Sequence, residues 1–215
     1  MILLFIPVII RMKLKIMLKN LKNLKSGSDI RGIALGENIN LTNDAVKSIA
    51  MAFVKFLEKN KNIAIKNQTI AVGHDSRLSG GRLRDIFING LISAGANVYY
   101  CGLCSTPAMS MAPKMLSCSA SVEITASHQP KEYNGFKFFD SVGGFTPSNI
   151  EEILNIASNE FYPKFSTQGT VRNIDFMKKY ADILKNMIKK EFSEKLPLEG
   201  LKIVIDASNG AGGFF

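Results

Sequence analysis

The sequence predicts an α/β protein: a three-layer α/β/α domain with a mixed sheet, followed by the start of a second α/β domain. Three observations carry this. Short apolar runs alternate with stretches of helical periodicity from residue 41 to about 159; polar loops with odd residues follow the apolar runs; and an apolar run near the end, LKIVID, enters a glycine-rich segment after a polar gap.

The elements follow in order. In LTNDAVKSIAMAFVKFLEKN, Thr42 can cap a helix and Asp44 suits its first turn, while Val46, Ile49, Phe53, Phe56 and Leu57 recur at helical spacing and so define one buried face. QTIAVG is a strand ending at Gly73, after which HDSRLSGGRL breaks into a loop before a helix over residues 82–94. ANVYYCG is a second strand; the next helix begins at STP, with Thr106 as cap and Pro107 at the first helical position. SVEIT and GFKFF are two further strands, very close in sequence, and a helix closes the domain from Ile150. Residues 162–170 read as a linker, 174–190 as a helix, and LKIVID as a buried strand. The domain division expected is 1–25 as a basic and apolar extension, 26–165 as the first domain and 170–215 as the incomplete start of a second.

Charge and cysteine content exclude several functions. The 27 basic and 18 acidic residues give a net charge of +9, but Arg11, Lys13, Lys15, Lys19, Lys22 and Lys25 precede the first acid, Asp29, so the body of the chain is only mildly basic. No aromatic residues interleave with the basic ones to form a stacking platform, which argues against nucleic acid as a partner. The opening MILLFIPVII is shorter than the roughly 20 apolar residues of a membrane span. It also carries its positive charge after the apolar run, unlike a secretory signal. A cytoplasmic or plastid-like location fits; secretion and membrane insertion do not, although an interfacial anchor made of this run and its lysines is a further reading. Cys101, Cys104 and Cys118 make no disulfide framework, and C-x-x-C without a second pair reads as two buried strand-end thiols.

The chemistry concentrates in ITASHQPKEYNGFKFF, residues 124–139. Ser127 and His128 are adjacent, Lys131 and Lys137 follow, and Gly135 permits close backbone approach. There is no G-x-S-x-G around Ser127, and sequence neighbours do not make a Ser-His hydrolase pair, so acyl transfer is disfavoured. A hydroxyl among cations and backbone donors suits phosphoryl transfer, in which charge on the moving group must be neutralised. His128 could exchange a proton with a substrate hydroxyl. Two more polar clusters, DIRG at 29–32 and HDSR at 74–77, fall at expected loop positions and bring Arg31 and Arg77, each able to hold phosphate with a planar fork. ASNGAGG matches neither a dinucleotide fingerprint nor a P-loop.

In the order SGSDIRG, VGHDSRLSG, STPAM, TASHQPKEYNGFKFF, VIDASNGAGG, the chain resembles the α-D-phosphohexomutase superfamily, in its phosphoglucomutase/phosphomannomutase branch. The resemblance implies that Ser127 is the serine carried as phosphoserine, interconverting hexose 1- and 6-phosphates through a hexose 1,6-bisphosphate, which also serves as activator. It implies proton transfer and charge stabilisation by His128 and Lys137, placement of Arg31 near the reacting groups, and a substrate-binding role for Arg77 and its neighbours in the same cleft. It also implies Mg2+, held by the phosphate on Ser127 and by three aspartates of a D-G-D-G-D loop. No D-G-D occurs in these 215 residues, and Gln129 stands where asparagine is common. The expectation is therefore the front part of a phosphohexomutase, the isolated chain turning over negligibly; the alternative is a non-catalytic phosphosugar-binding module. The choice between glucose and mannose phosphates and the oligomeric state are not written in these residues.

Overall fold

Seven strands form one sheet in the order β1-β2-β6-β5-β3-β4-β7, in a computed structural model that describes residues 20–159, 168–192 and 198–214. The strands are β1 (Lys25–Ser26), β2 (Asp29–Ile33), β3 (Thr69–His74), β4 (Asn97–Leu103), β5 (Ala120–Ile124), β6 (Tyr133–Phe139) and β7 (Val171–Asn173). Strands β5, β3, β4 and β7 run parallel to one another, whereas β6 is antiparallel to both β5 and β2, and β1 is antiparallel to β2. The mixed sheet is the one the sequence predicts.

Five helices cover it: α1 (Asn43–Lys61), α2 (Gly80–Ser93), α3 (Thr106–Met115), α4 (Pro147–Asn159) and α5 (Phe176–Glu191). On one face Ile30, Ile70, Val72, Val98, Val122, Ile124, Phe136 and Phe138 of the strands pack with α1, α2 and α4 in a single core. On the other, Ala71 and Cys101 meet α3 and α5 through Ala108, Met109, Phe176 and Tyr180. These are the three layers. Alternation along each strand sends neighbouring residues to opposite faces, so an apolar phase fills the first core while the other phase is free to carry chemistry.

The first helix forms as its sequence dictates. Thr42 accepts a hydrogen bond from Ala45 N at 3.2 Å, and all five residues read as its buried face are fully buried. The cap of α3 is different from expectation: Ser105, not Thr106, is in extended conformation with its hydroxyl accepting from Ala108 N, and Thr106 already lies in the helix with Pro107 behind it. Helices α2 and α4 begin two and three residues earlier than the periodicity suggests, since polar first turns carry no apolar signal.

Two expectations about backbone state are corrected. DIRG is not a loop: Asp29–Ile33 pairs along its whole length with β6, because an apolar Ile30 between two charged residues is a strand's alternation. Conversely, residues 201–206 form no strand, and Leu201, Ile203, Val204 and Ile205 are exposed. A strand needs neighbours for its backbone groups, and no described strand lies beside this run. The short β7 has no signal in the sequence and adds to the β4 edge. The apolar and basic residues 1–19 and residues 162–167 of the expected linker lie outside the described residues. Among the described residues, no helix is long and apolar enough to cross a membrane.

Candidate functional site

The loops that follow β3 and β5 leave the sheet side by side, because these two strands are paired in parallel, and such strand ends are where ligands bind in α/β sheets. Ser127 sits on the second loop, exposed, with a backbone φ of 54°. A side chain with a Cβ enters this left-handed region at a cost of about 1 kcal/mol, so something must hold it there. Thr125 Oγ1 accepts from Ser127 N at 2.9 Å and donates to Asp75 Oδ2 at 2.7 Å, while Asp75 Oδ1 takes the backbone N of Arg77 at 3.0 Å. Gln129 N closes the turn on Ala126 O.

Arg77 supplies the larger part of the hold. Its Nη2 donates to the carbonyls of Ser127 (2.7 Å) and Gln129 (2.6 Å), and its Nη1 to those of Pro130 (2.8 Å) and Tyr133 (2.9 Å). Its Nε lies 3.3 Å from Asp75 Oδ2, an ion-pair distance without hydrogen-bond alignment. The sequence offers Arg77 as a substrate-binding group. In this geometry both Nη groups are taken by loop carbonyls, so the guanidinium braces the loop that presents Ser127 rather than facing the cleft.

Arg31 and Lys137 are brought together by a residue to which the sequence assigns no separate role. Asp29, itself buried although it lies on the face of β2 opposite Ile30, receives Lys137 Nζ at 2.6 Å, Arg31 Nη2 at 2.7 Å and Arg31 Nε at 3.2 Å, all on Oδ2. Register explains the meeting: Asp29 stands directly opposite Lys137, and Arg31 opposite Gly135. The Arg31 side chain needs the room glycine leaves, for a Cβ at 135 would come 3.1 Å from Arg31 Cγ and run into Ile30 O. Lying over Gly135, Arg31 reaches Ser127 Oγ with Nη2 at 3.3 Å. The serine thus has a fixed cation beside its hydroxyl, and a second cation, Lys137, sits on the same carboxylate that fixes the first.

His128 is exposed, next to Ser127, and makes no hydrogen bond with any described residue, so its imidazole is available to a ligand. Lys131 is likewise exposed. The C-x-x-C is what its setting suggests: Cys101, Cys104 and Cys118 are free and buried, Cys104 Sγ donates to Cys101 O at 3.2 Å, and burial pushes the Cys101 thiol up to about 12 and Cys118 to about 11. Thiols that resist ionisation are poor nucleophiles and poor ligands. No group of three or more His, Cys, Asp or Glu side chains among the described residues could hold a metal ion.

Glu123 escaped the sequence reading. It is 1% exposed on β5, neither carboxyl oxygen has a hydrogen-bond partner, and burial, followed by the charge of Asp75, raises its pKa well above the carboxylate range. A charged residue between Val122 and Ile124 of a strand buried along its length was the signal available.

Residues 22–163 match the family described as phosphoglucomutase/phosphomannomutase, alpha/beta/alpha domain I. The chain is 34% identical over 187 residues to the phosphoglucomutase/phosphomannomutase of Thermococcus kodakarensis, covering 85% of this chain and 39% of that protein. It is 35% identical over 193 residues to the phosphoglucosamine mutase of Alkaliphilus oremlandii, covering 86% and 40%. It therefore spans about two fifths of the length of these curated relatives. Among solved structures, a phosphoglucomutase/phosphomannomutase family protein from Burkholderia thailandensis superposes with a TM-score of 0.63 at 24% identity, over 75% of this chain and 35% of the other, a likeness of fold.

Proposed function

Because the chain belongs to the phosphoglucomutase/phosphomannomutase family through its α/β/α domain I, we propose that it contributes the phosphoryl-carrying half of a hexose phosphate mutase site, with Ser127 as the carrier. The observation that carries this reading is the 3.3 Å contact between Arg31 and Ser127 Oγ, made by a guanidinium that Asp29 fixes from behind. A preset cation beside a hydroxyl held at an exposed loop tip is what accepting a phosphoryl group requires.

In the loading step Ser127 Oγ attacks a phosphorus of a hexose 1,6-bisphosphate. The Oγ–P bond forms as the sugar O–P bond breaks, the serine proton leaves, and the sugar oxygen takes up a proton. In the return step the phosphoryl group passes from Ser127 to the free hydroxyl of a hexose monophosphate. Arg31 and Lys137 offset the charge of the moving group, and His128, exposed beside the serine, is placed to carry the proton of the sugar hydroxyl. Arg77 acts through the loop, holding Ser127 at its left-handed φ.

Magnesium does not fit the described residues alone. Asp29 is taken by two cations, Asp75 by Thr125 and Arg77, and Glu123 is buried, so these carboxylates do not complete the several oxygen ligands a hard cation needs beside a phosphate on Ser127. No step above passes through the ion. For the same reason turnover by these 215 residues alone is proposed to be negligible, while loading of Ser127 is the activity to look for.

Incubation with hexose 1,6-bisphosphate followed by peptide mass spectrometry tests the assignment. One phosphoryl group on Ser127, absent in Ser127→Ala, is the expected result. A label on another residue, or none on folded protein, overturns it.

A further inference from the structure

Lys137 lies between two carboxyl groups. In the paired strands β2, β6 and β5, Asp29, Lys137 and Glu123 form one cross-strand row, each directly opposite the next and all on the same face. Directly opposite residues have Cβ atoms about 4.5–5.5 Å apart, well inside the reach of a lysine stem. The ammonium is on Asp29, at 2.6 Å, and Glu123 has nothing. Its carboxyl leans the other way, over Gly73, where a Cβ would stand 3.0 Å from Glu123 Oε2, 2.7 Å from Met109 Sδ and 2.9 Å from Cys104 Cβ. The absence of a side chain at Gly73 makes the space that lets the carboxyl stand clear of Lys137.

We propose that Glu123 is a positioning residue for Lys137, the second carboxyl its ammonium can reach, and that the proton on Glu123 decides whether Lys137 stays on Asp29 beneath Ser127. The proposal rests on the reading of the Ser127 site as a phosphate site. Protonated, Glu123 exerts no pull, and Asp29, Arg31 and Lys137 together present one net positive charge toward the serine. Ionised, it draws Lys137 across the sheet and cancels that charge, so the site loses its attraction for an anion.

The groups that face Glu123 are few. Lys137 comes from β6, Asp29 and Arg31 from β2, Asp75 from the loop after β3, and the thiols of Cys101 and Cys104 from β4 and its end, while α3 brings the uncharged Met109. Asp75 and burial both oppose ionisation, and burial dominates. An anion at Ser127 opposes it too, so anion binding and the Glu123 proton support each other.

The test uses the full chain and sulfate, whose charge is constant from neutral to alkaline pH, in titration calorimetry at a series of pH values. Wild type is expected to lose roughly tenfold more sulfate affinity across this range than Glu123→Gln does, the size expected for one charge acting at short range. Every titration other than that of Glu123 is common to both proteins and drops out of the comparison. Glu123→Met, of similar length, replaces the glutamine variant if that one does not fold. A second measurement does not need binding: the Lys137 side-chain resonances, assigned by their loss in Lys137→Met, are followed through the same titration in unliganded protein. An inflection present in wild type and absent in Glu123→Gln supports the proposal even if sulfate fails to bind, in which case the phosphate-site reading falls alone. Superimposable sulfate profiles, or no Glu123-dependent inflection, overturn it.

Discussion

The loop after β5 follows an apolar strand and residues 201–206 are themselves an apolar run, yet they differ in what becomes of their backbone. In the first, the carbonyls of Ser127, Gln129, Pro130 and Tyr133 all accept from one guanidinium, and the N–H of Ser127 is taken by Thr125. In the second, no strand forms and the apolar side chains stand in solvent. The difference teaches that rigidity at this site comes from polar bookkeeping rather than from hydrophobicity. A strained serine can be held at a surface if a planar, always-charged fork satisfies the turn around it, whereas apolar character without a neighbouring strand orders nothing.

The largest effect expected from this comparison is at Arg77. Arg77→Ala removes the donors to four loop carbonyls and the ion pair to Asp75, and should cost about 3 kcal/mol in urea unfolding, with exchange protection lost first in residues 125–133. Arg77→Lys should recover little of it, since three tetrahedral donors do not match the fork. Full recovery by lysine would mean that charge alone, not geometry, holds the loop. Gly135→Ala comes next, at about 2 kcal/mol, because the new methyl group meets the Ile30 carbonyl and the Arg31 stem; it should also displace Arg31 from Ser127 and slow loading of the serine.

Glu123 gives a smaller effect with a defined sign. Its folded pKa is raised above its unfolded value, so below the unfolded pKa both states are protonated and nothing is lost. As pH rises past the unfolded pKa the unfolded chain releases a proton that the folded chain keeps, and stability falls by about 1.4 kcal/mol per pH unit until Glu123 ionises in the folded state. Unfolding free energies of wild type and Glu123→Gln, measured against pH, should diverge with this slope in favour of the variant as pH increases. Parallel curves would show that the carboxyl finds a partner in the folded protein.

How much of this was legible in the sequence follows from where the information lies. The core helix and the alternation of strands with helices are local patterns, and they read correctly because periodicity and caps are local. Arg31 and Lys137 read as cations for phosphate, but what joins them, Asp29 opposite Lys137 on the paired strand, depends on a register between residues 108 positions apart in the chain. Arg77 reads as a phosphate fork because its chemistry allows it. That its fork closes on carbonyls 50 to 56 residues away is a property of two loops meeting and has no sequence signature. DIRG reads as a loop since three polar or small residues outweigh Ile30, and residues 201–206 read as a strand since apolar composition reports a preference for burial, not the presence of something to be buried against.

The smallest effect is expected at Val204, and it tests the other side of the comparison. Val204 is 95% exposed, so Val204→Asp in this chain removes no buried contact and strands no polar group. Its cost to unfolding of the β-sheet domain should stay within about 0.5 kcal/mol, as for surface substitutions generally. The same exchange at Val122, fully buried in β5 two residues before the Ile124 to Thr125 turn-off, would place an unpaired carboxylate in the core and should prevent folding. A large loss of stability at Val204 would mean that residues 201–206 pack against the domain after all. The contrast between a loop held by Arg77 and an exposed run with no strand beside it would then have to be redrawn as two different ways of being held.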